Sequence, residues 1–595
     1  MVLKMSEVEL WLHPDIFYYG IVYAHPKLTL PYLKKVVAYA KNKGKDGGYP
    51  SLSWTVWKHM AVNKMLMKED LAWTYFQMFY TLHDFTANER LEHAELQHQM
   101  LESGDAKSYR SCMQVPTLEF VFFLYLQQAN KVSLRRSLVG EEWPGASPRS
   151  CIESPSHQNK SEATANMLDE HKHIQFVVSH IYQIFELLSD DFKSQEMSNQ
   201  DSNLSVDVVK ALGYVIKGRI MKQTNVLSVY DIATRHRLQG KAGYSRSAGT
   251  FTAQTLERWI QANLTDNPFG LTSCITSGTR LKWNSPASSS ETARRKARII
   301  ANSSSAPTGH KLVFFTQCSN QTIARQSAFL SGSYVKLHRC QRSCFYLLSP
   351  LKCATIEKCT RMTIVLGPVS TCIKLVNCQD ILLIAPCQSI TVANCTGITL
   401  HIATPTQPII LSDGMSTDDV EASIVLAPYN TFYSNLEIHL AQVGLPISPQ
   451  IDQWKNPICI SNVHNLSHNH SRLSDVVQPR SPRYSAVGDA PLAAEKGKFY
   501  RIMTPAEFYM FSIPFQISET MINGVTTSEI PGGLPEEYSQ AVKAKQRATE
   551  RWKKAVKESQ MTKEERNSFQ QLVEEKFKQW LTESGNQRQI DDLRK

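Results

Sequence analysis

Long apolar runs are missing from this sequence. The richest, Phe120-Val-Phe-Phe-Leu-Tyr-Leu126, falls far short of the roughly 20 residues that cross a bilayer, so membrane insertion is not expected. Met1 to Gly20 has no apolar core behind basic residues and gives a secretory signal no support. Val2 excludes N-myristoylation, and the terminal Asp-Leu-Arg-Lys595 is no prenylation box. The expectation is a soluble, cytoplasmic protein. No Gly-x-x-x-x-Gly-Lys-Ser/Thr loop occurs, which argues against a P-loop nucleotide site. The histidines of His93-Ala-Glu-Leu-Gln-His98 stand five apart rather than four, off one zinc-ligand face. The formal net charge of +11 is diluted over 595 residues, and no basic stretch is interleaved with aromatics, so nucleic acid is not an expected partner.

What is present is a repeat. Val335-Lys-Leu-His-Arg-Cys340, Ala354-Thr-Ile-Glu-Lys-Cys359, Ile373-Lys-Leu-Val-Asn-Cys378 and Ile390-Thr-Val-Ala-Asn-Cys395 align, with cysteines 19, 19 and 17 residues apart. A second series ends in Pro350, Pro368, Pro386 and Pro405, at intervals of 18, 18 and 19. The first and third positions of each cysteine segment are apolar, which is strand alternation. Asn377 and Asn394 suit corners because asparagine tolerates the left-handed backbone. At roughly 3.3 Å per residue a repeat has a contour of about 60 Å, too long for a hairpin but right for one coil of a parallel β-helix. Nine of the thirteen cysteines lie between Cys318 and Cys395. Only Cys340 and Cys344 have zinc-like spacing, so reduced cysteines filling the coil are expected rather than a metal. Glu357 and Asp380 are the only acids in the repeat and lie on different strands, which fits glycoside cleavage poorly.

The remaining chain divides by pattern into an α+β multidomain protein. Residues 1–143 read as mostly helical, with Leu33, Val36, Val37 and Ala40 on one face after Pro31, aromatic Asp70 to Leu82, and a long helix over Thr117 to Arg136 with a basic end. Residues 144–169 read as a flexible linker, and 170–283 as helical again, carrying Ile174 to Leu188, Val208 to Ile220 and Leu256 to Leu264. A Ser-rich and basic linker is expected over 284–307, including Arg294-Arg-Lys-Ala-Arg298, followed by the β-helix over 308–440. Residues 461–496 read as a disordered insert whose His464, His468 and His470 form no preorganised metal site. Residues 497–533 include a strand-like stretch, Phe508 to Ile517, and 534–595 form a helical hairpin. Its second helix opens on the capping box Thr562-Lys-Glu-Glu565, and its stripes are Ala541, Ala544, Ala548, Trp552, Ala555 and Phe569, Leu572, Val573, Phe577, Trp580.

The block Gly367-Pro, Cys372-Ile-Lys-Leu-Val-Asn-Cys378, Ala385-Pro-Cys-Gln-Ser-Ile-Thr-Val-Ala-Asn-Cys395 and Thr406-Gln-Pro-Ile-Ile410 resembles the C-CAP/cofactor C-like domain family. That family includes tubulin-specific chaperone C, and the resemblance implies a right-handed parallel β-helix. Tyr49-Pro-x-Leu-x-Trp, Lys68-Glu-Asp-Leu-Ala-Trp73, Asn130-Lys-Val-Ser-Leu-Arg, Gly140-Glu-Glu-Trp-Pro144, Asn267-Pro-Phe-Gly270 and Glu529-Ile-Pro-Gly-Gly-Leu-Pro535 carry the likeness along nearly the whole chain, to one branch of the family. It implies a protein of centrosomes, spindle poles and basal bodies that helps place the centrosome and Golgi and maintain cell shape, with partners in the microtubule system such as tubulin or an Arf-like GTPase.

GTPase-activating members insert an arginine into the GTPase, which stabilises the charge of phosphoryl transfer. Aligned on Cys387-Gln388 and Cys395, that position here is Thr391, the second arginine is Ala393, and the acid after the Gln407-Pro-Ile-Ile run is Leu411. The expectation is an exposed but degenerate GTPase-facing surface of Gln388, Thr391, Ala393, Gln407 and Leu411, with no catalytic residue, cofactor or metal, on a non-enzymatic adaptor. Two alternatives stand beside it: a GTPase activator using Arg339 or Arg342 at a corner, and a tubulin-folding cofactor.

Overall fold

A left-handed residue on either side of each repeat cysteine turns the chain through a corner. One column of such residues is Gln317, Arg339, Lys358, Asn377 and Asn394, with φ between 51° and 58°; the other is Asn320, Arg342, Arg361, Asp380 and Gly397, with φ between 47° and 66°. Asn377 and Asn394 sit where the sequence places them, and arginine, lysine and glutamine take the same conformation on other turns.

The computed structural model describes residues 7–44, 48–83, 85–102, 110–111, 113–131, 169–190, 192, 202–221, 223, 225–281, 298–302, 311–325, 329–412, 423–461, 500–513, 530–559 and 561–583. Between 312 and 411 the chain makes about five turns of a parallel β-helix. One sheet stacks Leu312–Thr316, Ser333–His338, Leu351–Glu357, Val369–Val376, Ile390–Ala393 and Ile409–Ser412 in parallel register. The second stacks Thr322–Arg325, Cys344–Leu347, Thr360–Leu366, Gln379–Pro386, Thr396–Ala403 and Ile424–Pro428. Val335, Ala354, Ile373 and Ile390 form one buried ladder between them and Leu337, Ile356, Leu375 and Val392 another. Cys318, Cys340, Cys359, Cys378 and Cys395 are free thiols buried at the corner, where they behave as small apolar fillers.

Sheet pairing moves both expected ends of this domain. Ile458–Ser461 and Tyr500–Ile502 extend the two sheets, so the boundary at 440 cuts through the solenoid rather than ending it. At the other end, Arg298–Ala301 lies inside the span expected to be a linker, 284–307. It pairs antiparallel with Leu312–Thr316 and closes the first turn, because Ile299 and Ile300 offer a β-branched pair to an otherwise open edge. The rest of that basic cluster, 294–297, lies outside the described residues, as do the insert from 462 onward with its three histidines and most of the linker 144–169.

The segments expected as two helical regions, 1–143 and 170–283, form one body with one core, from Val8 to Ile260. Helix Leu30–Asn42 buries Leu33, Val36, Val37 and Ala40, as its spacing predicts. Glu69–Leu82 is buried nearly all round, its Trp73, Phe76 and Phe79 making edge-on or tilted ring contacts with Trp54, Phe120 and Phe123. Helix Thr117–Leu126 is shorter than expected and passes into a 3₁₀ turn at Gln127–Lys131. The helix expected through Ile220 stops at Val215, and Ile216–Ile220 is instead a strand antiparallel to Val8–Leu12. Gly218 permits this pairing: a Cβ there would stand 2.6 Å from the Glu9 carbonyl oxygen.

Of the strand-like stretch Phe508 to Ile517, residues 508–513 form no strand but lie along Asn430 and Thr431, with Phe511 N donating to Asn430 O at 2.9 Å. At the C-terminus, helix Glu536–Glu558 docks through its first half, where Tyr538 and Val542 enter the solenoid core, Tyr538 Oη donates to Met503 O at 2.6 Å and Lys545 Nζ donates to Phe508 O at 2.8 Å. Thr562 and Glu565 make the expected capping box ahead of Lys563–Glu583. Trp552, Leu572 and Phe577 remain about half exposed, so the hairpin stripe is open to solvent.

Candidate functional site

Alternation along the first sheet sends every second side chain out of the coil. Lys336, Thr355, Lys374 and Thr391 form one outward column, ending on Ile409. On this face the structure corrects the expectation of an exposed surface. Thr391 is only 2 % exposed, because the helical body packs over the column. Cys353, Cys372, Ile409 and Ile458 belong to the helical body's own apolar core, with Tyr334 and Leu411 packed against it.

Polar contacts along the seam are specific. Tyr19 Oη lies 2.9 Å from Thr355 Oγ1, and Lys374 Nζ donates to the Tyr18 carbonyl at 2.5 Å. Tyr334 Oη donates to Asp15 Oδ2 at 2.9 Å. Burial at this seam pushes both tyrosine hydroxyls well above the usual phenol range, so both are neutral. Lys336 and Glu357, on adjacent turns, make a 2.9 Å ion pair with each side chain about 10 % exposed.

Gln407 sits at the end of this seam and is held four ways. Gln77 Nε2 donates to its carbonyl at 2.9 Å, and its own N–H donates to Gln77 Oε1 at 3.2 Å. Arg110 Nη2 donates to its Oε1 at 2.8 Å, and its Nε2 donates to Asn456 O at 3.0 Å. The Arg110 guanidinium also lies 4.3 Å from the Trp73 ring; burial draws its pKa down, against the pull of Glu69 and Asp70.

The five expected site residues therefore divide. Thr391, Gln407 and Leu411 meet the helical body. Ala393 pairs with Leu411 across the strands and is half-buried. Gln388 stands at the preceding bend, where its carbonyl accepts from Thr406 Oγ1 at 2.7 Å. The Thr391 hydroxyl has no oxygen or nitrogen partner, and its polar neighbour is the Cys372 thiol, pushed up to about 12 chiefly by burial. Gln77, Tyr19, Asp15 and Arg110 were not singled out from sequence, and no local pattern marks them, since each acts on a residue some 300 positions away. Among the described residues, no group of three or more His, Cys, Asp or Glu is placed to hold a metal ion, and no helix is long and apolar enough to cross a membrane.

Comparison with known proteins adds to this geometry. The family model of tubulin binding cofactor C matches residues 332–458, the body of the solenoid. Over nearly its whole length the chain resembles proteins named TBCC domain-containing protein 1. The Bos taurus protein is 37 % identical over 99 % of this chain and 98 % of its own length. The Homo sapiens protein is 36 % identical over 99 % and 98 %, and the Danio rerio protein 34 % identical over 98 % and 93 %.

Proposed function

Since the chain belongs to the TBCC domain-containing protein 1 family, we propose that it is a non-enzymatic adaptor of the microtubule system. In this reading it acts in the cytoplasm at centrosomes, spindle poles and basal bodies, where it helps position the centrosome and Golgi and maintain cell shape and migration. The family model bears the name of tubulin binding cofactor C, which supports a tubulin-related setting.

The observation that carries the non-enzymatic part is the state of position 391. Thr391 is uncharged, and it is buried between solenoid and helices. A GTPase approaching this face would first have to displace the seam through Gln407, Tyr19 and Lys374. Even then it would meet a hydroxyl in place of a guanidinium worth about 10³ to 10⁵ in rate.

The test is GTP hydrolysis by tubulin and by Arf-like GTPases with and without the purified full chain. No acceleration is expected, and robust stimulation would reject the adaptor reading. The family name also favours a second reading, a tubulin-folding cofactor; co-purification with tubulin at stoichiometric yield would select it.

A further inference from the structure

The solenoid leaves one long edge to solvent. Its first sheet is covered by the helical body, and its second by Tyr429, Tyr433, Leu436 and Leu440, which form one core with Tyr346, Val365 and Ile384. Between residues 329 and 412, every exposed residue except Gly332 lies within two positions of Cys340, Cys359, Cys378 or Cys395. The cysteine corner is thus the accessible side of these turns.

Chemistry at this corner is uneven along the axis. Each turn supplies two left-handed positions. The first turn fills them with Gln317 and Asn320, the fourth with Asn377 and Asp380, the fifth with Asn394 and Gly397. The second and third turns fill all four with cations: Arg339, Arg342, Lys358 and Arg361. Long side chains strain a left-handed backbone that asparagine and glycine accept readily, so the turn geometry does not ask for arginine or lysine there. Strained residues gathered at one surface point to a function for their side chains. Successive turns lie about 4.8 Å apart, which packs the four cations into one small patch. The acid beside them is Asp380, 3.8 Å from Arg361, a half-exposed and therefore weak pair.

We propose that this corner is a docking site for an acidic, extended peptide of a partner protein. Same-side carboxylates on an extended chain recur at roughly 6.7 Å, within reach of flexible arginine and lysine stems set one turn apart. No aromatic ring lies among residues 339–342 or 358–361, so the patch lacks the stacking platform that single-stranded nucleic acid uses. The proposal goes beyond the adaptor reading and does not require it: the GTPase assay and the peptide assay fail separately.

The test measures binding of a fluorescein-labelled oligoglutamate peptide and of an oligothymidylate to the full chain by fluorescence anisotropy at two salt concentrations. The variant R339N/R342N/K358N/R361N places asparagine where the fold already uses it at 320, 377 and 394, so its melting temperature should equal or exceed the wild-type value. Expected are salt-sensitive peptide binding by the wild type, a loss of about tenfold or more in the variant, and retention by R339K/R342K/R361K. Absence of wild-type binding, unchanged affinity in the variant, or tighter binding of the oligothymidylate would overturn the proposal. If the fourfold variant melts early, R342N/R361N gives the same reading with half the charge removed.

Discussion

Gln77 and Gln407 make a reciprocal pair across 330 residues of chain: the amide of the helix residue both donates to and accepts from the backbone of the solenoid residue. The side chain therefore acts as a short piece of strand edge, satisfying an N–H and a C=O just before strand Ile409–Ser412 begins. This seam joins the helical body to the β-helix.

Replacing Gln77 with leucine leaves both backbone groups of Gln407 without their partners. Urea unfolding should show a loss of about 1–3 kcal/mol. Because Arg110 grips the same residue, a Gln77→Leu/Arg110→Gln double-mutant cycle should give a coupling of at least about 0.5 kcal/mol. Strict additivity would mean the two contacts are independent.

Placing an arginine at position 391 should not create a GTPase activator. The guanidinium would be buried beneath the helices, in the same column as the Lys374 ammonium. Thr391→Arg should cost roughly 3 kcal/mol, the scale of an uncompensated buried charge, and increase proteolysis at the seam. A variant that melts like the wild type would show that the helices do not cover this face in solution.

Lys336 and Glu357 form a nearly buried pair on adjacent turns. Removing one partner takes a charge-assisted contact from a nearly buried group, so Glu357→Gln or Lys336→Met should each destabilise by about 1.5–3 kcal/mol. The double replacement Lys336→Met/Glu357→Leu should recover most of that loss, since two apolar groups leave no charge behind. Equal losses in the single and double variants would sink this account.

His401 is fully buried under the second sheet, with Nδ1 3.2 Å from the Pro428 carbonyl and Nε2 unpartnered. The carbonyl can only accept, so Nδ1 carries the proton and the ring is neutral. Burial draws its pKa from 6.5 down to about 4. The unfolded chain therefore binds a proton that the folded chain refuses between these values. The stability tied to the neutral ring is complete above about pH 6.5 and is lost as pH falls towards 4. Relative to His401→Phe, wild-type stability should fall by as much as about 1.4 kcal/mol per pH unit across that window. A pH-independent difference would place the ring in contact with water.

The repeat could be read from sequence because a β-helix is a nearly one-dimensional object. Each turn contacts its neighbours, so Val335, Ala354, Ile373 and Ile390 announce a ladder by spacing alone, and Asn377 and Asn394 announce its corners. The strand Ile216–Ile220 was not legible, because Val208, Leu212, Val215 and Ile216 fit a helical stripe equally well. Only the arrival of Val8–Leu12 beside Gly218 decides between them. The hairpin shows the same limit: its stripes are present, but their spacing does not say whether anything covers Trp552 or Phe577.

The sequence by itself determined the coil and its buried ladders, because these depend on residues near one another in the chain or repeated at a fixed interval. Tertiary structure alone decided that Thr391 is covered, that two helical segments share one core, and that the solvent-facing edge of the solenoid is its cysteine corner. Those outcomes depend on which surfaces meet after folding. Alternation can say that a side chain points out of a strand, but it cannot say whether water or another part of the chain lies beyond it.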